Sequence, residues 1–142
     1  MKNEVISIDV PNIGTINVSA RMKGKCKTKL FDLLHYKYTL RIWSEHGEMN
    51  VTFHDSSENY PNVKKLGKNE LIYALDAVLS DISMYLNDEL EDCFDPIDEC
   101  DLYKRAVRGC RNDTEKFSIV VGGDENIWKA IEVLTDYIIA NN

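Results

Sequence analysis

The stretch NELIYALDAVLSDISMYLNDEL, residues 69–90, decides how the rest of the chain is read. Leu71, Leu75, Val78, Ile82 and Leu86 recur at three- and four-residue steps, and Ile72 and Leu79 widen the stripe. That is the apolar face of a helix packed on a core. Asp76, Asp81, Ser83 and Asn87 fall largely to the other side. Asn69 is the expected N-cap, with Glu70 favourable in the first turn, and Pro96 forces an end near Asp92.

Upstream of this helix the apolar period is two rather than three to four. Ile6, Ile8 and Val10 alternate with Ser7 and Asp9. Pro11-Asn12-Ile13-Gly14 supplies a turn, and Ile16, Val18, Ala20 and Met22 resume the alternation. This predicts a β-hairpin. Tyr36, Tyr38, Leu40 and Ile42 alternate next, with Trp43 closing the strand. A turn over Ser44–Glu48 then returns the chain through Met49, Val51 and Phe53 as a second hairpin. Residues 30–35 are apolar without a readable period, and residues 55–67 read as a polar connection broken by Pro61 and Gly67.

Between the hairpins, Arg21, Lys23, Lys25, Lys27 and Lys29 place a cation at every second position. On a continuous strand all five would share one face, as an anion-binding ribbon or as lysines guarding an edge against sheet-to-sheet pairing.

Downstream, residues 88–101 (DELEDCFDPIDECD) hold eight acids and no base. A short helix from Leu102 to Cys110 is expected, capped by Asp98 or Asp101, with Lys104, Arg108 and Arg111 on one face. Phe117–Val121 reads as a short buried strand stopped by Gly122-Gly123. Asp124 is then placed to cap a last helix reaching about Ala140, its stripe being Ile127, Ile131, Leu134 and Ile138, helped by Trp128. The expectation is a single α+β domain over residues 1–142. Its antiparallel sheet is built from two hairpins plus a short strand near 117–121, packed against two long helices and one short helix.

The formal net charge is −7. That balance speaks against direct nucleic-acid binding through phosphates. The charge is also segregated. Residues 1–41 carry eight Lys or Arg against three acids, whereas residues 42–142 carry nine against twenty-one. No apolar run is long enough to span a bilayer, and the first residues lack a secretory leader, so a cytoplasmic protein with no membrane association is expected. Cys26, Cys93, Cys100 and Cys110 form no Cys-x-x-Cys pair and are expected as free thiols. Neither a redox motif nor a zinc site is encoded locally.

Two patches are the candidate binding surfaces. The acidic one is Asp88, Glu89, Glu91, Asp92, Asp95, Asp98, Glu99 and Asp101. It could occupy the basic groove of a nucleic-acid enzyme, or stand as a solvated loop paired with the basic helix behind it. A metal reading through Asp92, Asp95, Asp98 and Glu99 lacks the D-x-D-x-D-G spacing of a calcium loop, so no metal is assigned. The basic patch is Tyr103, Arg105, Arg108 and Arg111, able to stack on and pair with a nucleotide-like anion. In a homo-oligomer two such sets could face each other. Gly122-Gly123 before a helix resembles a phosphate turn only in outline, since Asp124 and Glu125 would repel phosphate. His54-Asp55-Ser56 holds triad residue types that, as neighbours, cannot converge. No catalytic residue and no cofactor is assigned.

YTLRI (38–42), VTFHDS (51–56), ALDAVLSD (74–81) and DPIDECDLYKRAVRGC (95–110) resemble segments of small accessory proteins encoded by phages and prophages of Gram-positive bacteria. The resemblance implies a hairpin, a helix, an acidic loop and a Tyr-Lys-x-Ala helix in that order. It also implies an anti-defence role: a non-enzymatic inhibitor that neutralises a host immune component by stoichiometric binding. The target would be an effector such as a CRISPR nuclease, or a nucleotide-derived immune messenger that is sequestered. An immunity or antitoxin protein, holding one cognate toxin, is the alternative.

Overall fold

A computed structural model describes residues 4–27, 34–55, 67–87 and 101–141. The period-two segments become β1 (Val5–Val10), β2 (Gly14–Lys27), β3 (Leu34–Ser44) and β4 (Gly47–Asp55) of one antiparallel sheet, ordered as in the sequence. In the first turn Asn12 takes φ 68° and Gly14 takes φ 113°, conformations that Asn and Gly tolerate best. The second turn is the two-residue loop Glu45-His46, closed by the Ser44–Gly47 pair.

One face of the sheet is buried: Ile6, Ile8 and Val10, then Ile16, Val18 and Ala20, then Leu40, Ile42 and Met49. The other face is polar. Its cross-strand row Ser7–Asn17–Trp43–Glu48 is stitched by Ser7 Oγ donating to Asn17 Oδ1 at 2.7 Å. Arg41 reaches Glu48 at 2.6 Å with its guanidinium 4.3 Å from the Trp43 ring centroid.

Beyond Ser19, β2 pairs with β3 alone, and the register shifts between Met22 and Gly24. The strand does continue to Lys27, through an irregularity that leaves Lys23 without a cross-strand partner, so the ladder from Arg21 is not one unbroken register. Lys29, the last cation of the expected ribbon, lies outside the described residues.

Among the described residues three helices cover the apolar face: α1 (Lys68–Leu86), α2 (Asp101–Val121) and α3 (Ile127–Ala140), the last preceded by a 3-10 turn, Asp124–Asn126. In α1 the expected stripe is buried, from Leu71 to Ile82, with Leu86 packed against the core margin. Its N-cap is Gly67 rather than Asn69, because the Glu70 carboxylate accepts the Gly67 backbone N–H at 3.0 Å. The helix stops at Leu86, with Asn87 as C-cap.

The strand expected at 117–121 is absent; those residues form the last turns of α2. The short helix is likewise corrected to one of 21 residues. Phe117, Val120 and Val121 are β-branched or aromatic and look strand-like locally. Yet Cys110, Thr114, Phe117 and Val121 are all buried, at steps of four, three and four, which is the helical period. Burial against the sheet overrides local propensity. Asp124 does not cap α3. Its carboxylate instead accepts the Ser118 hydroxyl at 2.5 Å, and Asn126 is the N-cap position. The α3 stripe is as expected, except that Trp128 is 48% exposed and adds little to the core.

The last four carbonyls of α2 have no intrahelical partner and all four are satisfied. Ser118 O and Ile119 O accept the backbone N–H groups of Gly123 and Gly122, at 2.8 and 3.1 Å, in a glycine-terminated reversal with Gly122 at φ 83°. Val120 O accepts the Ser44 hydroxyl at 2.5 Å, and Val121 O accepts Asn126 Nδ2 at 3.0 Å. His46 Nε2 donates to Ile13 O at 2.9 Å while its ring lies against Gly122. One end of the sheet is thereby tied to the end of α2.

At that joint a Cβ added to Gly47 would stand 2.6 Å from Ile119 Cγ2, a methyl held by a β-branched side chain. Gly47→Ala is expected to cost about 1–3 kcal/mol by overpacking. Ile119→Ala in the same chain should recover most of that loss in thermal melts. Equal melting points for Gly47→Ala and the unaltered chain would refute this packing account.

Candidate functional site

The end of α1, the second half of α2 and the start of α3 enclose a cleft of about 310 Å³, open to solvent on one side. Tyr85 and Leu86 come from α1, and Arg111, Thr114 and Glu115 from α2. Asp124, Ile127 and Trp128 come from the 3-10 turn and α3. The glycine reversal after Val121 brings the last two groups together, because it folds α3 back beside α2 within a few residues. The Ser118–Asp124 and Asn126–Val121 hydrogen bonds then hold the first turn of α3 in place.

Within the cleft Arg111 Nε lies 3.3 Å from Glu115 Oε1, an exposed i,i+4 pair. Such pairs are worth about 0.3–0.5 kcal/mol, so the contact opens readily to a ligand. Thr114 is buried and satisfied, its hydroxyl donating to Cys110 O at 2.7 Å. The recognition groups left on the wall are the two aromatic rings, the guanidinium and two carboxylates.

Beside the cleft, where α1 and α2 pack, Asp81 faces Cys110 and Asp113. Partial burial raises the Asp81 carboxyl above its ordinary value, although the residue as a whole still reaches solvent. Burial raises Asp113 too, with repulsion from Asp81 adding to it and Lys116 opposing it. Burial, then Asp81 and Asp113, push the Cys110 thiol up to about 11. A thiol so placed is protonated at neutral pH and is a poor nucleophile and a poor metal ligand. Among the described residues no group of three or more His, Cys, Asp or Glu side chains is arranged to hold a metal, and no helix is long and apolar enough to cross a membrane.

Of the residues singled out from sequence, Arg108 and Arg111 are exposed on α2. Tyr103 and Arg105 lie on the same helix, in its first two turns, where only the backbone is described, and Asp101 is its first residue. Asp88, Glu89, Glu91, Asp92, Asp95, Asp98 and Glu99 lie outside the described residues. Among the basic side chains that are described, the structure brings Arg111 into a cleft with aromatic rings. Tyr85, Glu115, Asp124 and Trp128 were not singled out as a site. Trp128 directly follows Ile127 and reads as core. Only the helical phase, which sets it a full step off the Ile127–Ile131–Leu134 stripe, separates it from that stripe.

Set against protein-family models, curated proteins and solved structures, the chain matches none of them.

The raised Asp113 carboxyl has a defined pH signature. A group whose folded pKa exceeds its unfolded value, about 3.9 for Asp, stabilises fully below the unfolded value and loses that contribution as pH rises through the folded one. Asp113→Asn removes the loss. The variant should melt a few degrees above the unaltered chain at pH 7, and the gap should close as pH falls toward about 3.5. A gap that widens on acidification would contradict the burial argument.

Proposed function

We propose that the chain is a non-catalytic binding protein of phage-accessory type, which neutralises a bacterial immune component by stoichiometric association. The partner is a protein with a basic, nucleic-acid-handling surface, such as a CRISPR nuclease. The observation that carries this is the charge of the helical layer. Asp76, Asp81, Glu115, Asp124, Glu125, Glu132 and Asp136 are exposed on α1, α2, α3 and the turn joining the last two, against Lys68, Arg108, Arg111, Lys116 and Lys129. In the sequence, the eight acids of segment 88–101 follow directly on α1 and lead into α2. Acidic surfaces of this kind steer toward basic grooves and compete there with phosphates.

One observation favours a second reading, sequestration of a nucleotide-derived messenger: Arg111 opens onto a cleft that also holds Tyr85 and Trp128. Guanidinium and indole are the groups that phosphate and base would need. Glu115 and Asp124 in the same cleft oppose an anion, which places this reading second. An immunity protein or antitoxin would use the acidic layer against a basic toxin, and a toxin gene beside this one would favour it.

Two variant sets separate these modes. Replacing Asp92, Asp95 and Asp98 by Asn and Glu99 by Gln should weaken capture of a protein partner by about tenfold or more, with a steep salt dependence. Arg108→Ala with Arg111→Ala should not weaken that capture. Capture from a defended host, with bound small molecules released by heat and identified by mass spectrometry, reads both. Loss of a released nucleotide in the arginine variant would establish the messenger mode instead. Indifference of both variants would defeat both modes.

A further inference from the structure

The cleft between α1, α2 and α3 combines three properties that one ligand would meet together. Its wall offers an indole face without rearrangement, since Trp128 is 48% exposed. Among the described residues its charge is unbalanced, with the Glu115 and Asp124 carboxylates against one guanidinium, Arg111. Its volume, about 310 Å³, sits at the floor of the roughly 300–1,000 Å³ span of small-molecule pockets. One long side chain fits that space, while a dinucleotide would overfill it.

The surroundings reinforce the sign of the charge. Asp81 and Asp113 stand together beside the cleft; desolvation raises both carboxyls, and at Asp113 the Asp81 charge adds to it while Lys116 opposes it. A phosphate entering here would meet more carboxylate than guanidinium. The chain also uses the complementary contact twice on its own account, with Arg41 4.3 Å from the Trp43 centroid and Lys68 Nζ 5.9 Å from the Tyr137 centroid.

We propose that this cleft takes the cationic side chain of an arginine or lysine from the partner protein, its head against Glu115 and Asp124 and its stem along Trp128. This rests on the reading of the chain as a binder of a basic protein surface, and gives that surface its anchor: an aromatic hot spot at the centre of an acidic field. The weak Arg111–Glu115 contact is the latch. In the free protein it keeps Glu115 paired, and an incoming cation displaces Arg111 toward solvent.

The chain has two tryptophans, Trp43 on the open sheet face and Trp128 in the cleft, so their indole N–H signals report separately in a nitrogen-labelled sample. The probes are a short Gly/Ser peptide with one central arginine, its lysine counterpart, and AMP as the anion. The arginine peptide should shift the Trp128 indole saturably and leave the Trp43 indole in place. Trp128→Ala should abolish binding and Trp128→Phe only weaken it, and melting curves confirm that both variants fold. The decisive readout is the sign of two charge changes. Glu115→Gln should weaken the peptide about three- to tenfold, and Arg111→Gln should tighten it about twofold or more.

AMP binding that strengthens in Glu115→Gln and fails in Arg111→Gln overturns the proposal in favour of an anion. So does the absence of a saturable Trp128 shift with either peptide. The two levels fail differently. A chain that binds the peptide yet captures no basic-surfaced protein refutes the functional reading and leaves the cleft assignment standing. Capture of such a protein undiminished in Trp128→Ala refutes the cleft and leaves the functional reading standing.

Discussion

Val120, in the last turn of α2, presents a carbonyl that no helical N–H can reach, and the Ser44 hydroxyl in the β3–β4 turn reaches it instead at 2.5 Å. Around that bond the other constraints accumulate. Gly47 has no Cβ because Ile119 occupies the space, and Gly122 takes a positive φ beside the His46 ring. The same ring donates to Ile13 in the β1–β2 turn. Buried carbonyls without partners are costly, so the end of α2 is stable only where the sheet supplies one. Its position then sets where α3 begins, and the start of α3 sets the third wall of the cleft. The candidate site is thus positioned in part by hydrogen bonds from residues that do not line it, Ser44 to Val120 and Asn126 to Val121.

The sheet and the two apolar helix stripes were legible because each rests on a period repeated several times. One misplaced residue does not destroy five matches in α1 or four in α3. The strand expected over Phe117–Val121 failed for the converse reason. Five residues of FSIVV carry no period of their own, and their β-branched character points to a strand. The evidence for helix lay upstream, in Cys110 and Thr114, which share a face with Phe117 only if α2 runs unbroken through Arg111–Lys116. That polar stretch reads as a break until the partner surface is known.

The cleft was less legible. Arg111 was accessible to sequence reasoning as a cation one turn from Arg108, but its neighbours come from three elements. Tyr85 reads as the margin of α1, and Trp128 as core. Glu115 reads as an ordinary solvated acid, and Asp124 as a helix cap that proves to bond Ser118. What unites them is the double-glycine reversal. Its tightness follows from two backbone hydrogen bonds that composition does not announce. The irregularity in β2 was illegible in the same way: a register shift at one residue is invisible in a pattern of alternating lysines.

The order of elements along the chain has a consequence for how the protein is made. Among the described residues the four strands precede the three helices, and each strand pairs with its sequence neighbour, so the sheet can assemble from local hairpins while synthesis continues. At about 5–20 residues per second, the helix that ends at Ala140 emerges seconds after β4 is complete. During that interval Ile16, Val18, Leu40 and Ile42, fully enclosed at the end, face water or whatever else is near the ribosome. The nascent chain is then a sheet with one greasy side. Its other face, stitched by the Ser7–Asn17 and Arg41–Glu48 contacts, is polar and gives a second unfinished copy little to stack on.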